Sequence, residues 1–363
     1  MINLWLSKDY LTGGNIYNRM VLDVLKNKGF DIVEKKAYTP YHGKGFTYLN
    51  ALFTYLGSAT PTHSRSARWR SFGDIISKIC GNNKVSQGIS KKNSTYELDI
   101  MDYSAASWCS RRHRAKRVII LFHFDLEETK KKKKQQFFFN RFLKNAQNAY
   151  IVVISQYWKN YLLSLGLSNI EVIYCAFDIA RYKQYISKQD FLQKFGLADK
   201  PIIYLGKNSK PKTLNAYQIV KPLENDYLII TTGPKKEFNG PVHLDLDFNT
   251  YSSLLHFCTV TLLLPQFSEG WSRIAHESLI CGSPVIGNGR GGMRELLEKT
   301  HQVIIDENQP AEIRRWIKKI TASAKRVRQK DSLYARQFDL KYFGQQWERL
   351  IKNLLAPGNR DSQ

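Results

Sequence analysis

Short apolar runs alternate with longer amphipathic stretches along most of this chain. Residues 2–6 form an apolar run that predicts a buried strand, and the apolar residues three and four positions apart over 15–28 predict a helix. Gly29 is a typical helix stop, and residues 30–33 begin the next predicted strand. This order of strand, helix and strand is typical of a βαβ unit in a parallel sheet.

The same alternation continues towards the C-terminus. In the first half we expect strands at 96–100, 118–122 and 150–154 and a helix at 131–148, while 38–92 mostly predicts loops with one helix near 71–79. In the second half we expect strands at 202–205, 228–231, 260–264, 284–286 and 303–305. Helices are expected there at 213–220, 251–257, 272–281, 293–298, 311–327 and 340–355.

Two such runs predict an α/β protein with two Rossmann-like, doubly wound domains. The expected boundaries are 1–180 for an N-terminal domain, 181–335 for a C-terminal domain, and 336–363 for a C-terminal helix that packs back on the first domain. Doubly wound sheets bind ligands at the carboxyl ends of their strands, so we expect both domains to face a central cleft.

Composition and cysteine use are those of a globular protein in a reducing compartment. Hydrophobic residues make up 43% and charged residues 24% of the 363 positions, which favours two domains with ordinary cores. No apolar run reaches about 18 residues and no signal peptide is evident, so a cytoplasmic protein is expected. The cysteines lack a C-x-x-C pair and favour neither a zinc site nor a disulfide framework: Cys80, Cys109, Cys175, Cys258 and Cys281.

Net charge adds a constraint on the partners. The chain has 55 lysines and arginines against 31 aspartates and glutamates, a formal charge of +24, and both halves are basic. Such a field attracts nucleic acid, anionic lipid or phosphorylated substrates, and the charge alone leaves these alternatives open.

The most informative stretch is 267–286, directly after the strand expected at 260–264. Glu269 lies in the loop at the carboxyl end of that strand, and Gly270 permits a close backbone approach. Ser272 is a good N-cap for the following helix, whose first amides form an anion site suited to a diphosphate. Glu277 lies further along this helix, where it can reach polar groups beyond the phosphates.

Glu269 and Glu277 are separated by seven residues, which resembles the E-x7-E motif of glycosyltransferase family 4, a retaining family with the GT-B fold. Residues 281–286 and 291–295 resemble the turn, strand and G-G-x-x-E segment after that motif. Further matches occur in the expected order over most of the chain apart from about 35–95. Gly13 and Gly14 resemble the family's glycine loop after the first strand, and His123 resembles its acceptor-side histidine. Gly206 with Lys207 and Lys212 resembles its G-R-x4-K diphosphate motif.

The resemblance implies that the N-terminal domain, 1–180, binds the acceptor and the C-terminal domain, 181–335, binds the nucleotide sugar. It also implies a role for each matched residue. Glu277 would bind the ribose hydroxyls of the donor, and Glu269 would contact the transferred sugar near its reacting face. Fixed cations and amides would stabilise the leaving diphosphate and a carboxylate the positive sugar ring. The implied catalytic residues are Glu269 and His123, and the implied donor-binding residues are Gly13, Gly14, Lys207, Lys212, Gly270, Trp271, Ser272, Arg273 and Glu277.

The sequence departs from the family pattern at two positions. Lys207 stands where arginine is usual, which keeps the charge but loses the bidentate fork. His276 stands where a small or apolar residue is usual. Asp245 and Asp247 mimic the D-x-D metal motif of the other main glycosyltransferase fold, but between two expected strands we interpret them as a chance match. We expect no essential metal and no cofactor besides a UDP- or GDP-linked sugar substrate.

Five consecutive lysines at 130–134 precede an aromatic stretch. At helical spacing Phe138, Phe142 and Ala146 share one face and Phe139 and Leu143 a neighbouring one, whereas Phe137 lies off both. Two interpretations remain open: a solvated charge run leading into a core helix, or an interfacial helix on an anionic membrane. The membrane contacts would be Lys130, Lys131, Lys132, Lys133, Lys134 and Phe137.

The leading hypothesis is a hexosyltransferase-type enzyme that moves a sugar from a nucleoside diphosphate to a glycan or lipid-linked acceptor. Two localisations remain open: a free cytoplasmic protein, or one attached peripherally to the inner face of the membrane. A noncatalytic GT-B protein that senses sugar nucleotides, a nucleic-acid-binding protein and a phosphorylase are the alternatives. No nucleic-acid-reading module is recognised, so a specific nucleic-acid partner is not expected. Taken singly, both glutamates could be solvated helix-start acids and His123 a buried structural histidine.

Overall fold

A computed structural model of the chain describes residues 1–7, 13–37, 98–108, 116–123, 133–306, 308–323 and 326–356. These residues form two compact units. The first unit contains the described residues up to Ile154, Lys159–Ile173 and the chain from Phe343 onward, and the second contains Ser155–Trp158 and Tyr174–Tyr342. The helix expected near 71–79 lies outside the described residues.

Each unit is built on a parallel sheet of six described strands. The first sheet has the order β2-β1-β3-β4-β5-β6 and the second the order β12-β11-β10-β7-β8-β9. The strands of the first sheet are β1 Ile2–Ser7, β2 Ile32–Ala37, β3 Leu98–Asp102, β4 Lys116–Leu121, β5 Tyr150–Val153 and β6 Ile170–Val172. Those of the second are β7 Ile202–Lys207, β8 Leu228–Thr232, β9 Val242–Leu244, β10 Val260–Leu263, β11 Val285–Gly287 and β12 Val303–Ile304.

Helices lie between most of the described strands that follow each other in the chain, whereas β8 and β9 are joined by a loop at 233–241, and the last three helices follow the final strand. Early in the chain they are α1 Gly13–Asn27, α2 Tyr103–Trp108, α3 Lys133–Ala146, α4 Gln156–Ser164 and α5 Lys188–Lys194. Further along they are α6 Asn215–Val220, α7 Phe248–Phe257, α8 Arg273–Ile280, α9 Met293–Lys299, α10 Pro310–Ala322, α11 Gln329–Arg336 and α12 Leu340–Leu355. Among the described residues, none of the helices has the length and apolar character needed to cross a bilayer.

The last helix, α12, packs from Phe343 onward within the first unit. The rings of Phe343 and Trp347 lie 5.1 Å and 6.4 Å from the ring of Tyr17 on α1. Lys28 pairs with Glu348 at 2.7 Å, and the Lys116 ammonium donates to the carbonyl of Leu354 at 2.7 Å. Apolar contacts at the centre and charged contacts at the edges therefore hold α12 against α1 and β4.

The core of the second unit lies between its sheet and the helices on one face. The core consists of alternate apolar residues of the central strands, apolar residues of α6 and α10, and apolar loop residues. Val260, Leu262 and Ile203 are fully buried in it. Successive side chains of a strand point to opposite faces of the sheet, so every second strand residue contributes to this core.

The hydrophobic pattern predicted the long elements well and the short ones poorly. The last helix was expected at 340–355 and α12 spans Leu340–Leu355. Strands β6 and β9 were not predicted, because each has a polar residue at its centre, in Ile-Glu-Val and Val-His-Leu, and so shows no apolar run. The helix expected at 311–327 was wrong at its end, because α10 stops at Ala322 and a separate α11 begins at Gln329.

Replacing Trp347 with alanine should destabilise the first unit. The indole is fully buried against α1, so its removal leaves a large cavity and should cost about 3–5 kcal/mol of unfolding free energy. Urea titrations followed by circular dichroism measure the change, with Gln345→Ala on the exposed face of the same helix as the control. Equal stability of the two variants would show that α12 contributes little to the unit.

Candidate functional site

The second sheet reverses its strand order between β7 and β10. These strands are neighbours, and the chain proceeds from β7 outward through β8 and β9 on one side and from β10 outward through β11 and β12 on the other. The loops at the carboxyl ends of β7 and β10 therefore diverge, which opens a crevice suited to a ligand. Lys207 ends β7 and Glu269 lies in the loop after β10, so both candidate residues lie at this crevice.

The loop after β7 is held by buried polar side chains. Asn208 is fully buried, its side-chain oxygen accepts from the amides of Glu237 and Phe238 at 2.8 and 3.1 Å, and its amide group donates to the Thr231 hydroxyl at 3.1 Å. The Thr213 hydroxyl bridges the next turn by donating to the carbonyl of Ser209 at 3.0 Å. This network fixes the loop whose exposed positions carry Lys207 and Lys212.

Lys212 and Glu269 are ion-paired across the crevice. The Lys212 ammonium lies 2.9 Å from Glu269 Oε1 and 5.4 Å from the centre of the Phe267 ring. The lysine side chain is 42% exposed and the glutamate 13%, so solvent reaches the cation more readily than the carboxylate. The exposed Lys207 has its stem beside Gly233, where an added Cβ would lie 3.2 Å from Lys207 Cγ. Two cations and one carboxylate therefore border the same crevice.

The backbone at Glu269 is fixed by two glycines of the loop after β11. Glu269 forms a parallel bridge with Gly291, and the amide of Gly292 donates to the Glu269 carbonyl at 2.8 Å. A Cβ on Gly291 would lie 2.2 Å from that carbonyl oxygen, and a Cβ on Gly292 would lie 2.0 Å from the carbonyl oxygen of Gly270. Only glycine allows the two loops to approach this closely.

Helix α8 begins directly beside this loop. Ser272 is its N-cap residue with extended backbone angles, and the serine side chain makes no capping hydrogen bond with the helix. The first turn of any α-helix has amides without intrahelical acceptors, and they carry the positive end of the helix dipole. The start of α8, with Lys212 on the neighbouring loop, is therefore chemically suited to an anion such as a diphosphate.

Glu277 lies on α8 within a cage of hydrogen-bond donors. Oε1 accepts from the hydroxyl of Tyr182 at 3.1 Å and from the guanidinium of Arg273 at 3.2 Å, and Oε2 accepts from the hydroxyl of Tyr251 at 2.6 Å. Burial, followed by the nearby charge of Glu277, raises the pKa of both tyrosines above the ordinary value. The hydroxyls therefore stay protonated at neutral pH and remain donors that orient the carboxylate.

Trp271 is buried, and its indole group points into the protein. Its Nε1–H donates to Nδ1 of His276 at 3.1 Å, and its ring lies 5.1 Å from the ring of Tyr174. This bond is a physical reason for the unusual histidine at 276, because a small or apolar residue there would leave the buried indole N–H without this acceptor. A contact between Trp271 and a ligand would have to come from its backbone.

Solved structures with the same fold as this chain are glycosyltransferases. Sucrose-phosphate synthase from Thermosynechococcus elongatus matches with a TM-score of 0.69 at 14% identity, covering 98% of this chain and 99% of the other. HepE from Anabaena, in complex with UDP and glucose, has a TM-score of 0.69 at 16% identity, with coverage of 97% and 99%. Trehalose-6-phosphate synthase, studied for glycosyl transfer with retention, has a TM-score of 0.63 at 11% identity, with coverage of 97% and 98%. The fold is GT-B. No protein-family model and no curated protein matches the sequence.

The first unit carries the other catalytic candidate and the glycine pair. His123 follows β4 at its carboxyl end and is partly buried. Gly13 and Gly14 were expected to form a loop, but the structure places them in the first turn of α1. A Cβ on Gly14 would lie 3.6 Å from the side chain of Phe122, so the start of α1 lies against the residue before His123.

The aromatic helix after the lysine run has the expected faces. Phe138, Phe139 and Phe142 are buried, whereas Phe137 is 36% exposed and Lys133 is exposed. Lys130, Lys131 and Lys132 lie outside the described residues, and so does the side chain of Lys134. The membrane hypothesis therefore stays a prediction.

Asp247 has a structural role. Its carboxylate caps α7 by accepting from the amide and hydroxyl of Thr250 at 2.9 and 2.8 Å, and these bonds lower its pKa. Within the described ranges, no group of three or more histidine, cysteine, aspartate or glutamate side chains could hold a metal ion. The aspartate at position 247 is therefore explained by its role as a helix cap.

The sequence reasoning missed Tyr182 and Tyr251, which contact Glu277 from distant positions in the chain. Tyr182 follows a short 3₁₀ turn and Tyr251 lies on α7, 95 and 26 residues from Glu277. No spacing of residues along the sequence predicts these contacts, because the residues become neighbours only in the folded structure.

Replacing Gly291 with alanine should displace the Glu269 loop and destabilise the second unit. Gly291 has φ of 69°, and its added Cβ would clash with the Glu269 carbonyl. Gly196→Ala is the matched control, because Gly196 has φ of 62° and open space around it. The control should cost about 1 kcal/mol of unfolding free energy from backbone strain alone, and Gly291→Ala about 2 kcal/mol more from the clash.

Equal costs in urea unfolding of the two variants would show that the loops can separate without penalty. The close approach would then not fix the position of Glu269.

Proposed function

We propose that this protein is a retaining glycosyltransferase that moves a hexose from a UDP- or GDP-linked donor to a glycan or lipid-linked acceptor. The observation that carries the proposal is the Lys212–Glu269 pair beside the start of α8, at the strand-order reversal of a GT-B unit. This arrangement places cations, helix amides and a carboxylate around one crevice. Sugar transfer needs these groups, because the leaving diphosphate is negative and the sugar ring becomes positive.

Each side chain has a defined task in this proposal. Lys207, Lys212 and the first amides of α8 bind the diphosphate and stabilise its charge as the anomeric C–O bond breaks. Glu277, held by its donors, binds the ribose hydroxyls, and Glu269 contacts the sugar. His123 acts on the acceptor side. Gly13, Gly14, Gly270, Trp271 and Arg273 complete the proposed donor contacts.

Retention follows from same-face attack. The acceptor hydroxyl forms the new bond on the face that the diphosphate leaves, and its proton passes to the departing phosphate oxygen, so no separate protein nucleophile is required. The fold shared with trehalose-6-phosphate synthase, studied for transfer with retention, supports this stereochemistry. The fold shared with HepE in complex with UDP and glucose supports a hexose donor.

A panel of nucleotide sugars tests the activity itself. We expect the protein to release nucleoside diphosphate from one donor, slowly by hydrolysis and faster with a matching acceptor, and the product to keep the donor's anomeric configuration by NMR. Tight donor binding without release from any panel member would favour the noncatalytic sensor. Product with inverted configuration would contradict the retaining mechanism.

Glu277→Gln should weaken donor binding, whereas Glu269→Gln should mainly lower turnover. Glu277 is proposed to bind the ribose in the ground state, and a lost charged hydrogen bond costs about 1.5–3 kcal/mol. Glu269 is proposed to stabilise charge that develops only in the transition state. Isothermal titration with the donor and initial rates separate the two effects.

The control for these variants is Glu298→Gln, whose carboxylate is 57% exposed in an ion pair with Arg294 on α9. It should behave as wild type. Wild-type kinetics in both site variants would show that the carboxylates do not serve the donor.

Turnover should persist in excess EDTA. Lys207, Lys212 and the helix amides supply the positive charge that a divalent ion would otherwise bring to the diphosphate. Rates measured with EDTA and with added Mg²⁺ or Mn²⁺ should be nearly equal. Complete loss in EDTA with recovery on adding metal would contradict this expectation.

We further propose that the first unit binds an anionic membrane through residues 130–134 and Phe137. Exposure of Lys133 and Phe137 on α3 supports the proposal, as does the chain's net charge of +24. Lysines near an anionic surface contribute roughly 1 kcal/mol each, and salt screens that attraction. A lipid-linked acceptor would then lie within reach of the bound enzyme.

Replacing the five lysines at 130–134 with glutamine should abolish sedimentation with anionic liposomes and leave donor hydrolysis intact. The charge-matched control replaces five exposed lysines of the second unit: Lys183, Lys194, Lys221, Lys318 and Lys319. The control should still sediment with anionic vesicles and wild type should not sediment with neutral ones. Equal loss in both variants would show that only the total charge matters.

A further inference from the structure

His276 is a buried polar residue whose two ring nitrogens both have partners. Nδ1 lies 3.1 Å from Nε1 of Trp271, and Nε2 lies 2.7 Å from the carbonyl oxygen of Ala335. The imidazole ring packs 4.2 Å from the ring of Phe177 and 5.3 Å from the ring of Phe338. The side chain therefore connects the Glu269 loop, through Trp271, with the last turn of α11.

The two partners determine the tautomer. An indole N–H can only donate and a carbonyl can only accept, so Nδ1 must be the acceptor and Nε2 must carry the proton. A second proton on Nδ1 would oppose the indole N–H and break that bond. Burial, opposed by the Ala335 bond and aided by nearby Arg273, lowers the pKa of His276 to about 3, which agrees with a neutral ring.

The carbonyl oxygen of Ala335 needs a hydrogen-bond donor from outside its own helix. It belongs to the last turn of α11, where carbonyls lack intrahelical amides and carry the negative end of the helix dipole. The bond to Nε2–H satisfies that oxygen, and the same bond leaves Nδ1 free to accept from Trp271. The position of α11 therefore sets the orientation of the indole.

Trp271 lies between the two features of the candidate site. Gly270 precedes it and contacts Gly292, and Ser272 follows it as the N-cap of α8. Because Trp271 is continuous in the backbone with both neighbours, a shift of its backbone after loss of the indole's anchor would displace the carboxylate of Glu269 and the first amides of α8. Displacements of about 1 Å at a reacting centre can lower rates about a hundredfold.

We propose that His276 is a positioning residue: its Nε2–H tautomer links the last turn of α11 to Trp271 and so holds Glu269 and the start of α8 in register. This inference rests on the proposed glycosyltransferase function for its effect on turnover, but the hydrogen-bond network can be tested without turnover. A merely structural histidine would affect stability and leave the rate of the folded enzyme unchanged.

The test compares three variants of the full chain. His276→Phe keeps an aromatic ring but loses both bonds, His276→Gln keeps one acceptor and one donor, and Trp271→Phe removes only the indole donor. We expect His276→Phe and Trp271→Phe to lower kcat roughly tenfold to a hundredfold. Nucleoside diphosphate affinity should fall by less, about threefold, because the amides at the start of α8 shift while Lys207 and Lys212 still contact the diphosphate. His276→Gln should recover most of the lost kcat, and the double variant with both phenylalanines should be no slower than the worse single variant.

Nitrogen-15 NMR provides the readout that does not depend on activity. Wild type should show a His276 imidazole with the proton on Nε2 from pH 5 to 8. The Trp271 indole N–H should be protected from hydrogen exchange in wild type. This protection should be lost in His276→Phe and retained in His276→Gln. Trp271→Phe keeps the Ala335 bond and covers the case in which His276→Phe fails to fold.

Several results would overturn the inference. These are an Nδ1–H or protonated imidazole in wild type, kcat of His276→Gln no higher than that of His276→Phe, and additive losses in the double variant. A wild-type protein inactive on all donors, with the expected NMR signature, would instead contradict the proposed function and leave the network established.

Discussion

The close contact between the loops after β10 and β11 is the constraint on which the candidate site depends. Glu269 and Gly270 pass so near Gly291 and Gly292 that no side chain fits between the backbones. That contact sets where the Glu269 carboxylate lies and where α8 begins. The Lys212 ion pair and the donors around Glu277 then act on groups whose backbone is already fixed.

Helix α8 has an N-terminal end without a side-chain cap and a middle whose polar side chains are paired with other elements. The start of α8 keeps its amides available for an anion, because Ser272 makes no side-chain cap. Further along, Glu277 and His276 are held by partners from other elements, so both keep fixed orientations despite burial. Either polar group would cost free energy if it were buried without a partner. Because both are paired, each contributes to the shape of the site. Helix α8 therefore combines an end that we propose binds an anion with a middle held by buried polar pairs.

The sequence predicted what is local and missed what depends on distant contacts. Long periodic segments such as α12 were predicted, and the strand-loop-helix order that carries Glu269 and Glu277 was confirmed. Strands β6 and β9 escaped prediction because a polar residue interrupts each of these short segments. Tyr182, Tyr251 and Ala335 escaped because their partners lie between 26 and 95 residues away in the chain.

We propose that the start of α8, Lys207 and Lys212 form the diphosphate site of a sugar-nucleotide enzyme. A crystal structure of the full chain grown with UDP or GDP tests this most directly. The account predicts diphosphate oxygens within hydrogen-bond distance of the first amides of α8 and of both lysine ammonium groups, with the ribose at Glu277. A nucleotide bound elsewhere, or a diphosphate that contacts neither lysine nor these amides, would contradict it.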